Sequence, residues 1–259
     1  MTRADDFLKT FSALEDTIIS HAQNLPEKYY EKAKKPFTVD ASLNTLRHYR
    51  ESVRRNIGNK VKNESDFRVL LENIDQLFLC NKLRNALAHN FDDPPIADPR
   101  QDIVDFMKAI HAEITNPKTA ANIMTKKVRQ TNTSENIYDV LDDMDRNNFT
   151  NVPVVEGGKV VAVLSERSAL KWIAATKDDD VKLAEVHTVW DVERYLDDIN
   201  AEDSDAYVFV AKNLNIYSVQ DIFDEAIKSG RRIGALFVTN SGSHNESLLG
   251  IITAWDLYR

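Results

Sequence analysis

The apolar residues of this chain change their period once. Up to about Thr115 they recur every three to four positions, as amphipathic helices require. Phe7, Leu8, Phe11, Leu14, Ile18 and Ile19 predict a first helix. A polar loop, Asn24 to Phe37, follows, with Pro26 and Pro36 as breakers. Val39-Asp40 opens a second helix running to about Ile57 and stopped by Gly58. From about Ser65 a third helix carries Phe67, Leu70, Leu71, Ile74, Leu77 and Phe78 on one side, and Ser65-Asp66 suits its N-cap. Asp92-Asp93-Pro94-Pro95 ends that unit. A fourth helix, Asp98 to Ile114, carries Ile103, Phe106, Met107 and Ile110, and Asn116-Pro117 marks a domain boundary.

Beyond Pro117, helical stretches alternate with short β-branched runs. Ile137 to Met144 reads as helix, Val152 to Val155 as strand, Glu156-Gly157-Gly158 as a hairpin turn, Val160 to Leu164 as strand and Ser168 to Ala175 as helix. The same order then returns. Val219 to Ser229 is helical, Ala235 to Val238 a strand, Asn240 to Ser247 a long turn, Leu248 to Ile252 a strand, and Thr253 to Tyr258 begins a closing helix. An internal repeat of this kind outweighs any single motif. Between the copies lie an acidic tract, Asp178-Asp179-Asp180, which reads as a solvated linker, and an inserted helix near Val189 to Ile199.

Composition and charge sharpen this picture. At 259 residues, 42% apolar and 29% charged, the chain suits two soluble domains. No run approaches the ~18 apolar residues of a membrane span, and the N-terminus lacks a signal-peptide pattern. The single cysteine, Cys80, forms no intramolecular disulfide, which suits a cytoplasmic setting, and reads as a small buried hydrophobe. The net charge of −8 is uneven: residues 1–117 carry −1 and residues 118–259 carry −7. A polyanion would therefore meet the front half. The six histidines are scattered, without metal-ligand spacing, and no phosphate-cradling glycine loop is present.

Asn122-Ile123-Met124-Thr125, Ile137 to Met144, Asn151 to Val155 and Val160 to Ser165 resemble, in that order, a CBS module. Leu249-Gly250-Ile251-Ile252-Thr253-Ala254-Trp255-Asp256 resembles the closing motif of a second one. The resemblance covers just over half the chain and implies a pair that senses an adenine nucleotide (AMP, ADP or ATP). In such modules an apolar strand delivers Ser or Thr to the start of a helix, where free N–H groups favour a phosphate, and an Asp one turn on takes the ribose hydroxyls. The residues carried over are Thr253 and Asp256, with Ser165 in the first copy. That copy reads Ser165-Glu166-Arg167-Ser168 and lacks the acid. The resemblance thus implies one competent site, or one strong and one weak, and an acid at position 168 would strengthen the first. The other reading of Thr253 and Asp256 is an N-cap pair.

In the front half, Arg84-Asn85-Ala86-Leu87-Ala88-His89 resembles the Arg-polar-x-x-x-His motif of HEPN domains, and the helix order over residues 5 to 116 resembles theirs too. The resemblance implies a dimer with the motif at its interface and metal-independent RNA cleavage. His89 would move protons near neutral pH, Arg84 would hold charge on the phosphorane, and Asn85 would orient the histidine or phosphate. Five positions separate Arg84 from His89, about 140° on a helix, so the two converge only across a dimer or at an unwound helix end. Otherwise His89 caps a helix C-terminus and Arg84 pairs with Asp75 or Asp92. Arg47, Arg50, Arg54 and Arg55, with Lys60 and Lys62, form a basic stripe that could track RNA, or an ordinary solvated face.

The sequence thus predicts an α+β chain: an N-terminal all-α helical bundle (HEPN-like, 1–117) followed by two βαββα-type CBS modules, the first at 118–177 and the second, with its linker helix, at 178–259. It predicts a homodimer in which the CBS pair controls a ribonuclease. The alternative is a non-enzymatic regulator in which the front half is a helical dimerisation or docking domain.

Overall fold

The computed structural model describes residues 2–30, 34–55, 65–88, 98–175, 187–199 and 206–258. The chain divides into two compact units, Met1–Pro117 and Lys118–Arg259.

The regular elements of the first unit are helical among the described residues. α1 (Arg3–Gln23) opens with a reciprocal cap, Thr2 Oγ1 accepting from the Asp5 N–H and Asp5 accepting from the Thr2 N–H. It buries Phe7, Phe11, Leu14 and Ile18 against α2 (Val39–Arg55) and α5 (Gln101–Thr115). The third helix predicted from Ser65 is instead two: α3 (Ser65–Glu72) and α4 (Ile74–Ala88). Asn73 lies between them and its side-chain Nδ2 donates to the Val69 carbonyl at 2.9 Å. The same carbonyl also accepts the Asn73 backbone N–H, at 3.2 Å, and the apolar stripe alone does not reveal the break.

In the second unit α6 (Ala120–Ile123) and α7 (Ile137–Asn147) precede a hairpin, β1 (Asn151–Glu156) and β2 (Lys159–Ser165), and then α8 (Glu166–Ala175). Gly157 and Gly158 have φ of 59° and 83°, the two left-handed positions a tight right-twisted hairpin demands. The second copy has β3 (Ala206–Ala211), α9 (Ile216–Lys228), β4 (Ile233–Thr239) and β5 (Gly250–Ile252), with β3 parallel and β5 antiparallel to β4. β3 was not foreseen. Its counterpart in the first copy is a single parallel bridge from Thr131 to Val154. The two stretches expected as helices at 189–199 and 253–258 are shorter 3₁₀ turns, Val189–Tyr195 and Ala254–Tyr258.

The two copies exchange their leading segments. Residues Ala120, Ile123 and Met124 pack into the core of the second copy, with Val219, Phe223 and Leu236. Val189, Val192 and Leu196 pack into the core of the first, with Ile137, Val140 and Trp172. The backbone repeats the exchange bond for bond. Ile216 N–H meets Lys118 O and Ala120 N–H meets Leu214 O, while Ile137 N–H meets His187 O and Val189 N–H meets Glu135 O. One step on, Thr125 bridges Ile251 in β5, and Asp197 bridges Val163 in β2. Packing therefore crosses the boundary at 177/178 drawn from the sequence. A further cluster, Val160 and Val163 with Tyr207, Ala235 and Phe237, joins the copies directly.

Candidate functional site

The exchange creates two equivalent corners. In each, a strand ends in Ser or Thr, and a crossing segment from the other end of the repeat bridges the residue two positions earlier. At the second corner β5 delivers Thr253. Its N–H and hydroxyl both donate to Asp256 Oδ2, at 2.8 and 2.9 Å. Thr253 is half-buried, Asp256 is 6% exposed, and Thr125 beside them is exposed.

This arrangement is first of all an N-cap. The same geometry recurs at Thr119–Asn122 (2.8 and 2.9 Å) and at Thr188–Asp191 (2.8 and 2.9 Å), at the heads of the two leading segments. The Thr-x-x-Asp spacing alone is therefore a capping signal. Burial separates the three. Asn122 and Asp191 are exposed, whereas Asp256 holds a carboxylate out of water, a costly place for one. The element that follows, Ala254–Tyr258, is a 3₁₀ turn where the sequence predicts the start of a closing helix.

The first corner is built differently. Ser165 and Ser168 cap one another: the Ser165 N–H donates to Ser168 Oγ at 2.7 Å, and the Ser168 N–H to Ser165 Oγ at 3.0 Å. Ser168 thus does the capping work of Asp256. An acid is nonetheless present. The Ser165 hydroxyl donates to Asp197 Oδ2 at 2.5 Å, the Tyr207 hydroxyl lies 3.2 Å from the same oxygen and 2.8 Å from Asn151 Oδ1, and Lys171 Nζ is 3.4 Å from Asp197 Oδ1. Ser165, Ser168 and Asp197 are all buried, at 3%, 1% and 2% exposure. An aspartate at 168 would bring a second buried carboxylate onto Ser165. The strengthening expected of that substitution does not follow.

Sequence reasoning missed Asp197, Lys171, Tyr207 and Asn151. Asp197 is the counterpart of Thr125, but it lies nine positions beyond Thr188, whereas Thr125 lies six beyond Thr119. The longer 3₁₀ turn hides the correspondence, and the sequence places Asp197 within an inserted helix near Val189 to Ile199.

In the front unit, Arg84 and Asn85 sit on the last turns of α4, and His89 lies outside the described residues. Arg84 pairs with Glu15 of α1, donates to Asn85 Oδ1 at 2.8 Å and lies over the Phe11 ring, 6.0 Å from its centroid. Asp40 of α2 joins this cluster, accepting from Asn81 at 2.7 Å and from Asn85 at 3.5 Å. Of the two acids suggested for Arg84, Asp75 is held instead by Arg47 and Arg50, at 3.5 and 2.9 Å, and Asp92 lies outside the described residues. The basic stripe is thereby neutralised at Arg47 and Arg50. The side chains of Arg54, Arg55, Lys60 and Lys62 lie outside the described residues. No cluster of three or more His, Cys, Asp or Glu suited to a metal occurs among the described residues, and no described helix is long and apolar enough to cross a membrane.

Comparison with known proteins agrees with the geometry of the second unit. Residues 120–175 match the CBS domain family. Similar solved structures include AcuB from Vibrio cholerae, 20% identical, covering 55% of this chain and 88% of that one at a TM-score of 0.40. Another is CBSX2 of Arabidopsis thaliana in complex with AMP, 19% identical, covering 54% and 93% at 0.39. A third is protein MJ1225 of Methanocaldococcus jannaschii, 21% identical, covering 59% and 51% at 0.41. No curated protein matches the chain. Residues 120–175 are thus a CBS domain, and the residues that follow repeat its architecture and share its cores.

Proposed function

We propose that this chain is a nucleotide-responsive regulator whose C-terminal pair takes an adenine nucleotide at Thr253 and Asp256. The observation that carries the proposal is the burial of the Asp256 carboxylate at an otherwise open corner, beside exposed Thr125 and half-buried Thr253. A carboxylate already desolvated and fixed in orientation is suited to two ribose hydroxyls, because its ordering cost is met before the ligand arrives. Titration calorimetry of the full chain with AMP, ADP and ATP tests it. Asp256→Ala should weaken binding by about 1.5–3 kcal/mol, the usual range for a charged hydrogen-bond partner. If none of the three nucleotides binds the wild type, the sensor reading fails.

The output we propose is a HEPN-type, metal-independent ribonuclease in the front unit, supported by the pattern Arg84-Asn85-x-x-x-His89. A second reading has its own observation: Arg84 is engaged by Glu15 and Asn85 by Asp40, as in a helical docking domain. RNA cleavage with and without nucleotide, wild type against His89→Ala, separates the two. We further propose a homodimer. Leu170 and Ile173 on α8, Ile227 on α9, and Trp255 and Tyr258 on the closing turn are strongly exposed. A groove of about 380 Å³ between α7 and α8, lined by Leu141, Met144, Phe149, Leu170 and Ile173, continues that apolar surface. Light scattering that finds only monomer at micromolar concentration counts against it.

A further inference from the structure

We infer that Asp197 plugs the first corner of the repeat from within, so that the pair takes one nucleotide per chain, at the second corner only. This rests on the sensor reading above and adds to it the stoichiometry and its cause. The two corners are related by the exchange: Asp197 bridges Val163, two residues before Ser165, as Thr125 bridges Ile251, two residues before Thr253. What differs is the side chain placed there. At the second corner it is an exposed threonine. At the first it is a carboxylate that takes the Ser165 hydroxyl and the Tyr207 hydroxyl on one oxygen and faces Lys171 with the other.

Three consequences follow from that chemistry. The Ser165 hydroxyl is committed to an acid of the crossing segment, Asp197, whereas the Thr253 hydroxyl is held within its own cap, by Asp256. Ser165, Ser168 and Asp197 are all buried and close the first corner on itself, whereas at the second Thr253 is half-buried and Thr125 exposed. The negative charge of Asp197 at the position a phosphate would approach opposes a second anion in a poorly solvated place. The network also binds four separate stretches to one another: β2 through Ser165, α8 through Lys171, the crossing segment through Asp197 and β3 through Tyr207. The first corner is therefore a fixed joint, and the second is where a ligand can act.

The test is calorimetric titration of ATP and AMP into the full chain, as wild type, Asp256→Ala, Asp197→Asn, and the double variant Asp197→Ser with Ser168→Asp, which rebuilds the first corner on the pattern of the second. One nucleotide per wild-type chain, at least tenfold weaker in Asp256→Ala and unchanged in Asp197→Asn, is the expected result. A second binding event in the double variant would complete it. Two nucleotides per wild-type chain overturn the inference and leave the sensor reading standing. One nucleotide that is lost in Asp197→Asn but kept in Asp256→Ala overturns it as well, because Asp197 would then be a ligand contact. Binding by the double variant alone supports the plug and removes the sensor reading. Binding by no protein removes both. The wild-type count together with the two single variants decides the matter even if the double variant does not fold.

Discussion

Gly250 begins β5 at the point where the crossing segment passes over it. A Cβ built there would lie 2.6 Å from Met124 Sδ, 2.8 Å from Met124 Cγ and 2.9 Å from the Thr125 carbonyl oxygen. The methionine can swing aside. The carbonyl cannot do so freely, because Thr125 and Ile251 exchange backbone hydrogen bonds of 2.9 and 3.1 Å immediately beside it. Gly250→Ala should therefore lengthen or break that reciprocal pair. Overpacking of this kind costs about 1–3 kcal/mol, and the backbone share places the expectation near ~2 kcal/mol. At roughly 2–4 °C per kcal/mol for a unit of about 150 residues, the melting temperature should fall by roughly 4–8 °C. Thermal melts of wild type, Gly250→Ala, Met124→Ala and the double variant give a full cycle. The double variant should lose less than the sum of the singles, since Met124→Ala relieves only the side-chain part of the clash. A Gly250→Ala protein that melts with the wild type would show that the crossing is looser than these distances allow.

Four further outcomes are expected. Asp256→Ala should raise the dissociation constant for adenine nucleotides roughly 10- to 150-fold, read by calorimetry. Glu135 is held below its ordinary carboxyl value of 4.5, first by its hydrogen bonds from Arg129. Its folded-state value is thus lower than its unfolded one, so its contribution is complete above about pH 4.5 and fades as pH falls through the folded value; the wild type should lose more melting temperature than Glu135→Gln between about pH 5 and about pH 3. Burial pushes the Cys80 thiol up to about 11, so a disulfide reagent should label it at neutral pH only as fast as the front unit opens, and at once in denaturant. If the front unit cleaves RNA, Arg84→Ala and His89→Ala should each abolish cleavage, the double variant should lose little more, and EDTA should not matter. Identical products from wild type and His89→Ala would assign the front unit to docking.

Much of the architecture could be read directly from the residues, and the failures have particular causes. Ile137, Val140 and Met144 announce α7 by spacing alone, and Gly157-Gly158 announces the hairpin turn, because both signals are local. The break at Asn73, whose side chain bonds the Val69 carbonyl, interrupts no apolar stripe and so leaves no mark in the periodicity. β3 has no counterpart among the elements predicted from the sequence, which assigns none to Tyr207–Ala211 after the acidic stretch Asp203–Asp205. Thr253 and Asp256 were found as a motif, yet the same motif at Thr188 and Asp191 is only a cap. What distinguishes them is burial, a property of the tertiary structure. Asp197 was invisible for the same reason: its side-chain partners are 10 to 32 positions away, at Tyr207, Lys171 and Ser165.

The exchanged leading segments also decide what can be inherited. A module whose first residues complete its neighbour, and whose own core is completed by that neighbour, cannot be duplicated, lost or shuffled singly. A gene cut between the copies would yield two incomplete halves, each carrying the piece the other lacks. Supplied together, such halves have a reason to find one another, since Ala120 to Thr125 and Val189 to Asp197 each close the opposite fragment. The smallest portion of this region that evolution or an engineer can move intact is the whole pair.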